Sequence, residues 1–347
     1  MKNKVGKLLV LALALVMMIS LSACDGGNVQ EDNKATGSSD EAGYVIKIAS
    51  ADGSGGITHS GLKLFEQLVE EQSKGSIDVQ IYMDSLLGGE REIIEGVLLG
   101  SIQMCPTSQG IFGVYDPKLA LTELPYLFKS HEAFEAASDG ETGDYLNGLW
   151  EQNGFTCLGQ FQMGYRVIAN QKKEIVTPND IAGMKIRVPE VETYVQTFAA
   201  LGANPTPMSW SEIYTGMQQG TIDGMECSPS AIWDSKIHEV SKYITVTNHL
   251  MATGALVISS EYLNSLPEDL QAIVKDAAAE TTSYLRKAFV EDEEVTLKKF
   301  EDYGLKVTYL TDEQYNAFKD LIMPLYEKSW NDAFGSDVIE KAFSYSE

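Results

Sequence analysis

Runs of alternating apolar and polar residues recur along the chain, separated by segments with helical periodicity. Residues 44–50 and 77–82 have the pattern of strands, and in residues 57–73 between them the apolar side chains recur every three or four positions. A helix between two strands forms a βαβ unit, in which the strands lie parallel. The pattern therefore predicts an α/β protein whose sheet is parallel at its start.

The longest predicted element is a helix near the C-terminus. Residues 268–303 contain neither Pro nor Gly, and their apolar positions have helical spacing. The stretch corresponds to about ten helical turns, more than one small domain can easily bury. Further along, the capping-box pattern of Thr311 and Gln314 predicts the start of another helix.

A short predicted strand carries the arginine that we expect to bind a ligand. Apolar and basic residues alternate in Met184–Val188, so a strand that buries its apolar side places Arg187 on the opposite face, and Pro189 ends the run. Open α/β sheets bind ligands beyond the carboxyl ends of their strands, where a guanidinium offers a planar fork of donors to a carboxylate. An ordinary surface arginine is the alternative.

A second capping-box pattern, formed by Ser209 and Glu212, predicts the start of a helix that Gly220 ends. Glu212 is therefore expected to cap the helix rather than to bind a ligand. Trp210 would lie in the first turn, where its flat side chain can cover a cleft or, equally, pack against a neighbouring domain.

The strand predicted after this helix spans residues 221–226, and it ends at Glu226 with Cys227 directly after it. Because both residues lie at a strand end, we expect them to contact the part of a ligand that Arg187 does not hold.

Several sequence blocks in this region, in this order, resemble the solute-binding proteins of tripartite ATP-independent periplasmic (TRAP) transporters. The matching blocks are Gly183–Pro189, Leu201–Met208, Glu212–Tyr214 and Gly220–Glu226. The likeness continues over essentially the whole chain beyond its N-terminal segment. It implies a two-lobed, periplasmic-binding-protein-like α/β fold of type II, in which the long helix spans both lobes.

The resemblance also implies how the chain is divided between the lobes. Lobe I would consist of residues 44–163 and 253–290, and lobe II of residues 164–252 and 291–347.

The same resemblance implies that Arg166 and Arg187 line the cleft, with Arg187 as the principal carboxylate clamp. From the strand pattern alone, Arg166 could equally form an ion pair between domains. By position, Thr107 and Ser108 belong to a loop that reaches the ligand, or they are turn hydroxyls. Glu90 could contact a ligand hydroxyl, although its place in the first turn of a helix is also explained by the helix dipole.

The N-terminus has the pattern of a lipoprotein signal peptide. Residues 1–23 have a basic start and a short apolar core, and the tetrapeptide Leu21-Ser22-Ala23-Cys24 resembles a bacterial lipobox. Cys24 would then be lipidated, whereas ordinary secretory cleavage near Ala23 is the alternative. Residues 24–43 are polar and rich in Gly and Ser, which predicts a flexible tether. We expect an exported protein, anchored to the outer face of the cytoplasmic membrane by its lipid alone.

The formal net charge of −24 at pH 7 narrows the choice of partners. An acidic surface repels phosphate backbones and anionic headgroups, which argues against nucleic-acid binding and polybasic membrane attachment. An acidic protein that captures an anion must concentrate positive charge locally, so we expect a positive pocket.

The sequence offers no motif for catalysis or for a cofactor. Cys105, Cys157 and Cys227 are widely separated and are expected to be small buried residues. The four histidines lack metal-ligand spacing, and no nucleophile–base pattern or phosphate-binding loop is present. We therefore expect no enzyme activity, no cofactor and no metal-ligating residues, while the sequence leaves open whether a metal ion assists ligand binding.

Together these features predict a binding protein that captures a carboxylate-bearing small molecule between two closing lobes. The expected ligand class is a sugar acid such as a uronate, or a C4-dicarboxylate. The resemblance implies delivery to the membrane permease subunits of a TRAP transporter. A binding lipoprotein of an ATP-driven importer, or of a membrane sensor, uses the same cleft physics and is the alternative.

Overall fold

The computed structural model describes residues 43–346 of the 347-residue chain. The predicted signal peptide, Cys24 and all of the predicted tether except Gly43 lie outside the described residues. Among the helices of residues 43–346, none is both long enough and apolar enough to cross a membrane.

Strands and helices alternate through most of the described chain. The strands are β1 (Tyr44–Ala49), β2 (Ile77–Tyr82), β3 (Met104–Ser108), β4 (Phe155–Tyr165), β5 (Val167–Asn170), β6 (Lys185–Val188), β7 (Asn204–Pro207), β8 (Gly224–Cys227), β9 (Tyr243–Val246), β10 (Met251–Ser259) and β11 (Lys306–Tyr309). The α-helices are α1 (Ile57–Gln72), α2 (Glu90–Leu98), α3 (His131–Ser138), α4 (Glu141–Gln152), α5 (Pro178–Ile181), α6 (Glu192–Ala200), α7 (Ile213–Gln219), α8 (Pro229–Asp234), α9 (Ser260–Ser265), α10 (Glu268–Tyr303), α11 (Asp312–Ile322), α12 (Asn331–Phe334) and α13 (Ser336–Ser344). Short 3₁₀ segments are Gln109–Val114, Pro117–Glu123, Trp210–Glu212 and Ile237–Val240, and Tyr326–Trp330 is a π-helical turn.

The first of two sheets has the strand order β2-β1-β3-β10-β4. Strand β1 pairs in parallel with both β2 and β3, so the predicted parallel start of the sheet is confirmed. Strand β10 returns late in the chain and pairs antiparallel with β3 and β4.

The second sheet has the order β11-β9-β5-β8-β6-β7. The chain passes from the first sheet to the second at Arg166, between β4 and β5, and returns at residues 247–250, between β9 and β10. Each sheet is the centre of one lobe, which confirms the two-lobed α/β fold. We call these the first and the second lobe; the residue limits predicted for them stay a prediction.

Helix α10 has the bounds that the sequence predicted, and it connects both lobes. Its N-terminal half packs on the core of the first lobe through Val274 and Leu285. Its last turns contribute Leu297 and Phe300 to the core of the second lobe. A Cβ atom at Gly61 of α1 would lie 2.6 Å from Cδ2 of Leu285, so a larger residue there would force the Leu285 side chain to move.

One of the two predicted capping boxes is present. The Thr311 hydroxyl accepts from the backbone N–H of Gln314, and the Gln314 side chain accepts from the backbone N–H of Thr311. The box predicted at Ser209 and Glu212 is wrong, because a 3₁₀ turn precedes α7 and neither side chain caps the helix. The Ser209 hydroxyl instead pairs with that of Ser211 at 3.3 Å.

We predict that Leu285→Ala lowers the free energy of unfolding by about 2–5 kcal/mol, because the side chain is fully buried between α10 and α1 and its loss leaves a cavity. Urea denaturation of the purified protein measures the change. Val290→Ala is the control on the same helix, since Val290 is 41% exposed. Equal destabilisation by the two variants would contradict the role of α10 in the core.

Candidate functional site

The candidate site is a cavity between the two lobes, beyond the carboxyl ends of β3, β6 and β8. Its wall includes Asp52, Glu90, Thr107 and Ser108 from the first lobe, and Arg166, Arg187, Trp210 and Cys227 from the interlobe crossover and the second lobe. Sequence reasoning named all of these except Asp52. The structure thus brings seven of the eight predicted ligand-binding residues to one cavity, and their binding roles stay predictions.

Arg187 is only 1% exposed, although the strand pattern alone placed it on the side away from the core. Strand β6 lies between β7 and β8, and the first lobe covers the face from which Arg187 projects. Its Nε donates to the carbonyl oxygen of Met208 at 2.9 Å, and its Cζ lies 5.5 Å from the centroid of the Trp210 ring. These contacts orient the guanidinium.

The charge of Arg187 has no partner of opposite sign at contact distance. Within residues 43–346, no carboxylate forms an ion pair with it and Nε is the only guanidinium nitrogen seen to donate. Burial lowers the pKa of Arg187, and the negative charges of Glu226 and Glu90 act against that shift. A buried charge without a partner is costly, which makes Arg187 a candidate anion-binding group. The two terminal nitrogens have the geometry that a carboxylate accepts.

Arg166 is equally buried, but its charge is neutralised inside the protein. Its Nε donates to Oε2 of Glu226 at 2.5 Å and its Nη2 donates to Oε1 at 2.7 Å. The guanidinium also lies over the ring of Tyr194, 5.0 Å from the centroid. Its backbone N–H donates to Leu250 on the other interlobe crossover. Arg166 therefore joins the two crossovers as well as facing the cavity.

Glu226 lies behind Arg166 rather than on the cavity wall, and it is fully buried. His249 Nε2 is 3.3 Å from Oε2 of Glu226, and His249 Nδ1 is 2.8 Å from the hydroxyl of Thr247. Burial by itself would raise the pKa of Glu226, but the charge of Arg166 and the bond to His249 outweigh it, so the pKa is lowered. Glu226 is thus held as a carboxylate that fixes Arg166.

On the opposite wall, Glu90 is the first residue of α2, and its Oε1 accepts from the hydroxyl of Thr107 at 2.9 Å. Burial raises the pKa of Glu90, and the nearby Arg187 acts in the opposite direction. The sequence left two explanations open for each residue, a ligand contact or a structural role, the helix dipole for Glu90 and a turn for Thr107. In the structure the two side chains hold each other at the cavity.

Ser108 donates to both oxygens of Glu123, at 2.8 and 3.0 Å. Glu123 also accepts from the hydroxyl of Tyr194 at 2.8 Å and from the backbone of Thr253 at 3.1 Å. Burial raises the pKa of Glu123, with Arg166 acting against it. The Tyr194 bond connects α6 of the second lobe to the 3₁₀ segment Pro117–Glu123.

Sequence reasoning missed Asp52, Glu123 and Tyr194. Asp52 follows β1, so the rule that ligands bind beyond strand ends was a usable signal for it. Tyr194 lies within an amphipathic helix, and Glu123 lies in an irregular segment without periodicity. No local pattern distinguishes such side chains from packing residues.

The lobes also meet at Asp234, the last residue of α8, which lies against the glycine-rich turn before α1. A Cβ atom at Gly53 would lie 2.8 Å from the backbone oxygen of Asp234, and one at Gly56 would lie 2.2 Å from its Oδ2. Burial, followed by the charges of Asp292 and Asp52, raises the pKa of Asp234 to about 6. The two glycines are what allow this approach.

A larger cavity lies between α3 and α10, but the arginine on its wall already has a carboxylate partner. Its arginine, Arg286, donates to both carboxylate oxygens of Asp139, at 2.6 and 2.8 Å. The smaller cavity, where the guanidinium of Arg187 lacks such a partner, is therefore the better candidate for a ligand site.

Within residues 43–346, the cysteines form no disulfide, and the acidic, histidine and cysteine side chains form no metal site. Cys105, Cys157 and Cys227 are free thiols, and Cys157 is only partly buried, contrary to expectation. Cys227 lies on the cavity wall, and burial raises the pKa of its thiol, so it stays protonated. Among the described residues, no group of three or more His, Cys, Asp or Glu side chains could hold a metal ion.

Residues 48–333 match the family model described as bacterial extracellular solute-binding protein, family 7. The chain is 31% identical to the 2,3-diketo-L-gulonate-binding periplasmic protein YiaO of Escherichia coli, over 76% of this chain and 80% of that protein. It is also 31% identical to the C4-dicarboxylate-binding periplasmic protein DctP of Rhodobacter capsulatus, over 77% of this chain and 81% of that protein.

Among solved structures, the chain resembles the sugar acid binding protein DctPAm from Advenella mimigardefordensis in complex with galactonate. The TM-score is 0.85 at 26% sequence identity, and the match covers 87% of this chain and 97% of that chain.

We predict that Glu226→Gln lowers the free energy of unfolding by about 3–5 kcal/mol, because Arg166 would keep its buried charge and lose the compensating one. Urea denaturation without added ligand measures this. Asp302→Asn is the control: it breaks the pair of Asp302 with Lys298, which is solvent-exposed, and should leave stability nearly unchanged. An unchanged midpoint for Glu226→Gln would show that the buried pair does not stabilise the fold.

Proposed function

The chain belongs to family 7 of the bacterial extracellular solute-binding proteins, the TRAP-transporter family predicted from its sequence, and we propose that it captures a small carboxylic acid at Arg187. Members of this family are substrate-binding proteins of transporters, so the expectation that the chain is not an enzyme is confirmed. Family membership also gives its extracytoplasmic location.

The observation that carries the proposal is the unpaired, buried guanidinium of Arg187. A ligand carboxylate would accept two parallel hydrogen bonds from its terminal nitrogens, which supplies the missing counter-charge. The other buried arginine of the cavity, Arg166, already has Glu226 as its partner. Arg187 is therefore the clamp, and Arg166 is a supporting contact.

The ligand class that we propose is a sugar acid, such as a uronate, or a C4-dicarboxylate. The names of the two relatives, one for a diketogulonate and one for C4-dicarboxylates, support this range, as does the galactonate complex of the structural neighbour. All of these molecules carry the carboxylate that Arg187 requires.

Capture would proceed by closure of the lobes over the bound acid. Trp210 lies beside Arg187 and covers the cavity from the second lobe, while Glu90 and Thr107 face it from the first. Exclusion of water lowers the local dielectric and strengthens the ion pair with the ligand. Motion at the two crossovers, at Arg166 and at residues 247–250, would release the ligand.

We further propose that the protein delivers the acid to the membrane permease subunits of a TRAP transporter. Its residues 1–23 would direct export, and the lipid on Cys24 would hold it at the outer face of the cytoplasmic membrane, with residues 24–43 as the tether. Family membership supports the transporter, and the lipobox-like sequence supports the anchor.

We predict that Arg187→Ala weakens binding of the tightest-binding acid by about 2–5 kcal/mol, roughly 30-fold to several thousand-fold. A thermal-shift screen of sugar acids and dicarboxylates identifies that acid, and calorimetry measures the affinity. Arg187→Lys should also bind weakly, because an ammonium cannot form the two-pronged contact.

The control is Lys185→Ala, which removes an exposed cation from the same strand and should leave binding unchanged. Full affinity in Arg187→Ala would refute the clamp. Full affinity in Arg187→Lys would refute its two-pronged geometry alone.

Closure gives a separate prediction at Gly53. Gly53→Ala places a methyl group against the backbone oxygen of Asp234, so the lobes cannot approach fully and ligand affinity should fall by about 1–3 kcal/mol. The control is Gly148→Ala in α4, where an added Cβ meets open space. Calorimetry with the same acid compares the two variants, and equal affinity would mean that binding does not require this contact.

A further inference from the structure

Once the Arg166–Glu226 pair is set aside, the cavity wall has two acidic side chains for one arginine; burial raises the pKa of both acids, and Arg187 acts against that shift at Glu90. Arg166 and Glu226 cancel each other. Of the charged residues that remain on the wall, Arg187 is a cation and Glu90 and Asp52 are carboxylates. A ligand with one carboxylate satisfies Arg187, and a second carboxylate would meet two groups of its own sign.

Neither carboxylate has a cationic side chain of the protein as its partner. Within residues 43–346, neither Glu90 nor Asp52 forms an ion pair. Glu90 accepts from the hydroxyl of Thr107, and the neutral hydroxyls of Thr58 and Ser50 lie next to Asp52, with Ser50 Oγ accepting from the Asp52 backbone N–H at 3.1 Å. Each retains further acceptor positions toward the cavity.

Two neutral donors of the wall are already engaged inside the protein. The Ser108 hydroxyl donates to Glu123, and the indole nitrogen of Trp210 donates to Ser235 at 3.2 Å. These two groups are therefore not free to bind a second carboxylate, whereas acceptors for ligand hydroxyls are present at Glu90 and Asp52.

The remaining wall suits the carbon skeleton of a hydroxy acid. Ile111, Phe161 and Met163 of the first lobe line the same cavity and offer an apolar face for C–H groups. An acid bound at Arg187 would then direct its hydroxyl groups toward the carboxylates and its C–H groups toward this face.

We propose that this chain selects singly charged polyhydroxy acids over dicarboxylates of the same size, with Glu90 and Asp52 as the residues that reject a second carboxylate and accept ligand hydroxyls. This inference rests on the proposed function, since it presupposes that Arg187 holds one carboxylate. It narrows the two ligand classes left open above to one.

Two pairs of acids test the proposal, because the members of each pair differ only in a second carboxylate that replaces a terminal CH₂OH group. They are gluconate with glucarate, and threonate with tartrate. Calorimetry at pH 7.5 gives the affinity ratio within each pair. We expect the protein to bind the better of the two singly charged acids at least tenfold more tightly than its diacid.

Glu90→Gln and Asp52→Asn keep the size of each side chain and remove its charge, so each should shift the ratio toward the diacid by tenfold or more. Glu92→Gln is the matched control, since Glu92 lies in the same first turn of α2 but is exposed and does not line this cavity. Circular dichroism confirms that each variant is folded, and the use of two sites keeps the test open if one variant is not.

Tighter binding of the diacid by the parent protein would overturn this inference and leave the proposed function in place. A ratio that neither variant changes would overturn the roles of Glu90 and Asp52. If none of the four acids binds, the inference is refuted. If Arg187→Ala binds the acids as tightly as the parent protein does, both the inference and the proposed function are refuted.

Discussion

A guanidinium held out of water without a counter-ion is the constraint on which the site depends. Burial of an unpaired charge costs several kcal/mol unless another group compensates it. Its position between the lobes imposes that cost on Arg187, and the carbonyl of Met208 and the ring of Trp210 offset only part of it. In the proposed function a carboxylate ligand would offset the rest, so that ligand binding and lobe closure would favour each other.

The two arginines of the cavity differ in how their charge is balanced, and this difference decides what the site can bind. Glu226 neutralises Arg166, and His249 contacts the same carboxylate. The pair lies where the chain crosses between the lobes. Arg187 is left as the one cation of the wall without an internal partner among the described residues. A ligand in this cavity would therefore meet one available positive charge, with the carboxyl groups of Glu90 and Asp52 on the same wall.

Local patterns in the sequence were sufficient for the elements and for much of the site. The strands at residues 44–50 and 77–82 and the helix Glu268–Tyr303 were predicted correctly, because strand and helix periodicity follow from which side of an element faces the core. The strand carrying Arg187 also follows from this alternation. The family was recognised from its sequence blocks. The strand predicted at residues 221–226 begins only at Gly224 and includes Cys227, because residues 221–223 form the bend that follows α7. The capping box at Ser209 failed, since a 3₁₀ turn and a neighbouring hydroxyl compete with that cap in the folded chain.

The sequence by itself determined the α/β elements, the long helix and the placement of Arg187 at a strand end. Only the tertiary structure decided which charges remain available. Glu226 lies 60 positions from Arg166 along the chain, and the pairing between them exists only because β5 and β8 are neighbours in the second sheet. The cavity forms only where the two lobes meet. Local sequence periodicity therefore could not show that Arg187 is buried, or that Asp52 lines the same cavity.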